Sequence, residues 1–353
     1  MILSKITLSN FRNFDTKKVV LHPSTTIITG PNSIGKTNLL EAMYVLITGA
    51  GIRDEKQDEL IKIGEKTATI EGKLEHNNDI DTLRIYLENG ITAKKVFSIN
   101  KTQKRLFEYT KQVMPTVFFT PKLVHVIDGE PASRRKFIDR ILSKLDIEYK
   151  KRLGNYETAL RKRNKILEKV YDIAKLKDEL PFWDTYLIEQ AAYICEKRAW
   201  FVDQLNSGVA MQNHLFSIIY TEKEISKKTL QDTFDKQYQI KSTRVGPQRD
   251  SYEIFQKNLL RPDTEAKNVH QFGSRSEQRL ALFWIIVNEL KLYEEIFKTA
   301  PLLLLDDIFS ELDEKHRTAV LSRLSDHQVL ITAVELDSKL EKEAHVLICP
   351  IGV

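Results

Sequence analysis

Two cysteines in 353 residues, Cys195 and Cys349, set the first limit on what this chain can be. They lie far apart, with no second cluster of ligating side chains beside either, which argues against a disulfide framework and against a zinc site. Long apolar runs are missing too. No stretch approaches the ~20 residues that a membrane-spanning helix needs, and Met1-Ile2-Leu3-Ser4-Lys5-Ile6 lacks the apolar core of a secretory signal. There are no repeats and no low-complexity tracts. These absences lead to the expectation of a cytoplasmic protein with no membrane partner. What remains, 42% hydrophobic and 29% charged residues, is the composition of a soluble globular chain long enough for two or three domains.

Glycine numbers only 13, so a glycine-bearing pattern seldom arises by accident. Gly30-Pro31-Asn32-Ser33-Ile34-Gly35-Lys36-Thr37 matches the phosphate-loop pattern G-x-x-x-x-G-K-[ST] at every required position. Thr25 to Thr29 reads as a buried strand and Asn38 to Leu46 as a helix. A strand feeding a glycine turn and a helix start points unpaired backbone N–H groups and the positive helix end at one spot. An anion of triphosphate size fits there: Lys36 would reach the β/γ-phosphates, and the Thr37 hydroxyl would hold Mg²⁺.

Before the loop, residues 2 to 21 alternate as strands around Leu8-Ser9-Asn10-Phe11-Arg12-Asn13-Phe14. After it, three hairpin-like strands are predicted over 67–74, 82–87 and 95–99, then a buried strand over 114–121. From 121 to 241 helical periodicity dominates, with Pro181 to Tyr220 read as one long helix that breaks near Gly208. Helix 276–297, helix 313–324 and strand 329–332 close the chain.

Four leucines, 302–305, end in Asp306 and Asp307. A buried parallel strand carrying carboxylates at its C-terminal end sits at the sheet edge where ligands bind. Asp306 is thus a candidate for Mg²⁺, together with Thr37, and Asp307 a candidate to orient and deprotonate a water. Ser274-Arg275-Ser276-Glu277-Gln278 opens a helix: its plainest reading is a capping box of Ser274 with Glu277, yet it also offers a second phosphate-type site.

Net charge is only +5, but Ser133 to Lys169 holds thirteen Lys and Arg against five Asp and Glu. That zone suits a polyanion. Arg134, Arg135, Lys136, Arg140, Arg161 and Arg163 are the candidate contacts to DNA backbone, sequence-independent because little aromatic interleaving accompanies them.

The order N-F-R-N-F, GPNSIGKT, SRSEQR, LLLLDD and Ser310-Glu311-Leu312-Asp313 resembles the ABC-type ATPase heads of the SMC class, and is most similar to the RecF family. P-x-S-R-R-x-F-I-D at 131–139 and G-P-Q-R-D at 246–250 add to that likeness. The resemblance implies an α/β fold: an ABC-ATPase head, with a phosphate-loop core and an antiparallel β subdomain, carrying an all-helical second lobe. Residues 1–120 and 242–353 would form the ATPase lobe and 121–241 the helical, DNA-binding one. It further implies that Ser274 to Gln278 is a signature acting on ATP held by a second protomer, that Ser310 to Asp313 is the D-loop, and that Arg12 lies near the nucleotide. Thr332 would stand where SMC relatives carry a switch histidine. Single-stranded or gapped DNA, an ATP-dependent homodimer, and RecR and RecO are the partners implied, with weak DNA-stimulated ATP hydrolysis in repair, recombination and replication. Ser33 and Ser276 replace glycines usual in the family and bear on turnover more than on binding. The alternatives are a non-hydrolysing, nucleotide-gated DNA scaffold of the SMC class and a transporter ATPase subunit; the basic helical insertion counts against the transporter.

Overall fold

The computed structural model describes residues 1–51, 57–76, 79–90, 93–170, 172–208, 210–211, 213–261, 263–308, 326–334 and 345–348. They divide into two compact units, one formed by 1–122 with 290–353 and the other by 123–289.

The first unit opens with β1 (Ile2–Phe11) and β2 (Phe14–Val20), then β3 (Thr25–Thr29) and α1 (Lys36–Thr48). A short α2 (Gln57–Leu60) precedes the antiparallel run β4 (Thr67–His76), β5 (Asp79–Glu88), β6 (Lys94–Ile99) and β7 (Thr102–Lys104). The turn α3 (Leu106–Thr110) leads to β8 (Thr116–Phe119). Period-two alternation explains the antiparallel strands: along β4, Ala68, Ile70, Gly72 and Leu74 are buried while the residues between them are partly or fully exposed. The resulting sheet has the order β2-β1-β4-β5-β6-β7.

In the second unit, α4 (His125–Asp128), α5 (Pro131–Leu145), α6 (Ile147–Lys169) and α7 (Ile173–Asn206) come first. They are followed by β9 (His214–Thr221), α8 (Lys227–Asp232), α9 (Phe234–Ile240), β10 (Ser251–Asn258), β11 (Lys267–Asn268) and α10 (Val269–Phe272). The helix α11 (Arg275–Phe297) then returns the chain to the first unit, which takes β12 (Leu302–Leu305), β13 (Val329–Ala333) and β14 (His345–Ile348).

Two expectations change here. The helix expected over Pro181 to Tyr220 begins earlier, under an Asp172 cap, and ends at Asn206; residues 214–221 are instead a strand, paired antiparallel with β10 from Ser251 to Asn258. The second unit is therefore not all-helical, because β11-β10-β9 form a sheet within it. It also reaches to Glu289, so the stretch 242–289, including Ser274, groups with the helices and not with the nucleotide core. The helix expected over 313–324 and Ser310 to Asp313 lie outside the described residues.

The site rests on a five-stranded sheet of order β14-β3-β13-β12-β8, parallel throughout. β12 is Leu302-Leu303-Leu304-Leu305, every side chain fully buried, as a strand covered on both faces requires. α1 is buried almost all round, through Leu39, Leu40, Met43, Val45 and Leu46, and shares one apolar core with β1, β4, β5, β8 and β12. Its lack of a polar face fixes α1, and with it the loop that feeds it.

Candidate nucleotide site and the fate of the basic residues

Sheet order builds the site. β3, β13, β12 and β8 are parallel neighbours, so their C-terminal ends open on one edge. The loop after β3, Thr332 and Val334 at β13, Asp306 and Asp307 after β12, and Thr120 to Lys122 after β8 together line a cavity of about 370 Å³. That falls in the size range of small-molecule sites.

Within the loop, Gly35 has φ +107°, and a Cβ there would stand 2.6 Å from Asn13 Nδ2 and 2.9 Å from the Phe14 ring. Only glycine meets both demands. Gly35 caps α1 with no side-chain hydrogen bond, which leaves the first-turn amides to an external anion. Ser33 adopts φ +67°, the left-handed region that a side chain enters at some cost. Ile34 packs its side chain against the core, while its carbonyl accepts from Asn13 Nδ2 at 3.2 Å and Asn38 Nδ2 donates to Asn13 Oδ1 at 2.8 Å. Lys36 is 9% exposed; its ammonium donates to the carbonyls of Gly30 and Pro31 at 2.6 and 2.8 Å. A lysine folded back on its own loop is held ready for a stronger acceptor.

Opposite Lys36, Thr37 Oγ1 lies 2.9 and 3.0 Å from the two oxygens of Asp306, 269 residues away in the chain. Thr332 Oγ1 donates to Asp306 Oδ1 at 2.8 Å and accepts from the Asp307 N–H at 2.9 Å. Asp307 has φ +48°. A hydroxyl and a carboxylate in contact at a sheet edge are hard oxygen donors of the kind Mg²⁺ takes, so these residues fit that ion.

Other expected residues sit elsewhere. Arg12 does not line the cavity. Its guanidinium forms a fork on Glu41 of α1, both bonds 2.8 Å, and reaches the Glu59 carbonyl at 2.6 Å. It thereby braces the helix that carries the loop. In the second unit, Ser274 and Glu277 form the reciprocal cap, at 2.8 and 3.3 Å. Lys267 pairs with Glu277 at 2.7 Å, and Gln278 Nε2 donates to the Val269 carbonyl at 3.4 Å. Ser276 is an exposed helical residue without positive φ, so the serine costs the backbone nothing there.

The basic candidates need correction. Arg163 is 1% exposed and bonded to Asp184, Gln237 and Thr243. Arg134 is buried and holds the carbonyls of Ile127 and Gly129, each at 3.0 Å. Both are turned inward onto protein groups and expose little surface to a partner. Arg135 is half-buried and bonded to the Asp250 carbonyl at 2.8 Å, and Arg140 lies over the Phe137 ring. Lys136 and Arg161 remain exposed.

Asn13, Asn38, Thr120 and Lys122 join this site without having been expected there; Asn13 alone had a signal, its place in N-F-R-N-F. Of the residues that the motifs marked on the first unit, Asn32, Ser33, Gly35, Lys36, Thr37, Asp306 and Asp307 are brought together on one cavity, whereas Gly30, Pro31 and Ile34 are not among those that line it.

This geometry has known counterparts. The family model described as the RecF/RecN/SMC N terminal domain matches residues 2–348. The DNA replication and repair protein RecF of Agathobacter rectalis is 33% identical over 349 residues, covering 96% of this chain and 93% of that protein. RecF of Moorella thermoacetica is 30% identical over 357 residues, covering 97% and 93%. Among solved structures, the recombination mediator protein RecF with ATP, in the RecFOR pathway, superposes with a TM-score of 0.80 at 26% identity, covering 96% of this chain and 93% of that one. The Smc head domain of Pyrococcus furiosus, at 16% identity, TM-score 0.51, and coverage of 95% and 90%, shares the fold. The chain belongs to the RecF/RecN/SMC N-terminal domain family and, within it, to the RecF proteins.

Proposed function

We propose that this chain is an ATP-dependent DNA-binding protein of RecF type, acting in DNA repair, recombination and replication. The observation that carries the reading is the Thr37–Asp306 contact beside the phosphate loop. It joins the two halves of a nucleotide site across most of the chain. ATP would lie along the loop with its phosphates at the α1 amides and Lys36, and Thr37 and Asp306 would hold Mg²⁺. The ion supplies charge neutralisation at the phosphates when bound. Lys36 then exchanges two carbonyl acceptors for phosphate oxygens, and Asp307 orients the attacking water and accepts its proton.

Ser274 to Gln278, at an exposed helix start, would complete the site of a second protomer, so that ATP drives a homodimer with slow hydrolysis. DNA, single-stranded or at a gap, is bound through its backbone by exposed basic residues such as Lys136 and Arg161, and RecR and RecO are the protein partners this reading carries. Sedimentation with and without ATP, alongside phosphate release with and without gapped DNA, tests it. A dimer only with ATP and release stimulated by DNA are expected. A strained Ser33 in the loop favours a second reading, a nucleotide-gated scaffold that does not hydrolyse; an ATP-dependent dimer with no phosphate release would select it.

A further inference from the structure

Thr332 is 0% exposed at the end of β13, the strand lying between the one that feeds the phosphate loop and the one that ends in Asp306. Its single hydroxyl has two partners. It donates to Asp306 Oδ1 at 2.8 Å and accepts from the Asp307 amide at 2.9 Å. On one side stands the carboxylate shared with Thr37, on the other a residue whose backbone is in the left-handed region, φ +48°. A non-glycine residue holds that conformation only where its surroundings fix it. The hydroxyl does not titrate near neutral pH, so the link is geometric and carries no proton.

We infer that Thr332 is a positioning residue for the hydrolysis: through one buried hydroxyl it locks the Asp306 carboxylate and the Asp307 backbone into a single arrangement. Asp306 is thereby kept facing Thr37, and the Asp307 side chain is kept aimed into the cavity that both residues line. Lys36, the loop and the α1 amides are fixed by α1 and by Asn13, so Thr332 reaches the nucleotide grip only through Asp306. The inference rests on the ATP reading above and assigns this chain's own threonine a role within it.

Thr332→Val removes the hydroxyl and keeps the branched shape; Thr332→Ser restores the hydroxyl and removes a methyl. Three readouts are taken on the full chain. Hydrogen exchange without nucleotide follows the peptide containing Asp306 and Asp307, fluorescent ATP-analogue binding follows affinity, and phosphate release follows turnover. In Thr332→Val the Asp307 amide should exchange faster and kcat should fall about 10- to 100-fold, the scale of a misplaced reacting group. Affinity and KM should change by a much smaller factor than kcat, because Lys36, the loop and the α1 amides are untouched. Thr332→Ser should recover both exchange protection and most of kcat. Unchanged kcat in Thr332→Val, or a serine variant as slow as the valine one, overturns the inference. So does an unmodified protein that binds nucleotide without releasing phosphate, since nothing would then be positioned. If the unmodified protein binds no nucleotide at all, it is the ATP reading that fails.

Discussion

Replacing Arg198 by Met should unfold the second unit well before the unmodified chain. The Arg198 guanidinium is 2% exposed and bonded to Asp139 at 2.8 and 2.9 Å, to Asp250 at 2.7 Å and to the Pro247 carbonyl at 2.7 Å. It ties α5, α7 and the 246–250 turn together. Met fills much of the volume, so the loss is one of charge. Asp250, itself 0% exposed, would keep the Tyr220 hydroxyl and the Lys223 amide; Asp139 would keep the Tyr149 hydroxyl. Two carboxylates, Asp250 buried and Asp139 partly so, would nevertheless lose the cation bonded to them, with Arg135 left nearby. Removing one partner of a buried ion pair costs about 3–5 kcal/mol. For a unit of this size, each kcal/mol lowers the melting temperature by roughly 2–4 °C, so a drop of about 6–20 °C is expected by calorimetry. Adding Asp139→Asn and Asp250→Asn should restore part of it, because the stranded charges are then gone. A melting temperature unchanged in Arg198→Met would refute the claim that this network holds the unit together.

Acid should weaken the start of α6. Burial raises the Asp146 pKa, but the Tyr193 hydroxyl, the Tyr149 and Glu148 amides and Lys197 outweigh it and hold the carboxyl below 3.8. The stability it contributes is therefore complete above about pH 4 and lost as pH falls through the lowered value, and Asp146→Asn should flatten that acid limb in urea midpoints. Ser274→Arg should abolish the ATP-dependent dimer in sedimentation while leaving ATP binding by the monomer near normal; a dimer that persists would remove Ser274 from the interface. Lys136→Glu with Arg161→Glu should lower DNA affinity alike on unrelated sequences, and flatten the plot of log K against log salt by about 0.9 for each duplex phosphate no longer neutralised. No change in that slope would take the two residues out of the DNA interface.

The phosphate loop is legible in the sequence because its parts are consecutive: strand, glycine turn and helix start report on one another. Asp306 is legible because four leucines demand a covered strand, and its partner Thr37 follows from the loop. Thr120 reaches the cavity only through the order β3-β13-β12-β8, which no local pattern states, and Thr332 is marked by the family resemblance alone. The basic helices mislead for a different reason. Arg163 stands on the stripe of Tyr156, Ala159 and Leu167, and Arg134 on that of Phe137, Ile138 and Ile141, all buried. Those spacings place both arginines inward, a signal that charge density hides. Strand β9 reads as helix because Leu215, Ile218 and Ile219 fit the helical period as well as Phe216, Ile218 and Tyr220 fit alternation. Pairing with β10, some thirty-five residues on, decides between them.

The most direct test of the nucleotide site is equilibrium binding of ATP with Mg²⁺ to the unmodified chain and to Lys36→Ala, by calorimetry, with circular dichroism to check the fold. The Lys36 ammonium now rests on two neutral carbonyls; against phosphate it would make a charge-assisted bond, worth about 1.5–3 kcal/mol. The unmodified chain should bind, and the folded Lys36→Ala protein should bind about 10- to 100-fold more weakly. No binding by the unmodified chain, or equal affinity in a well-folded Lys36→Ala protein, would contradict the account.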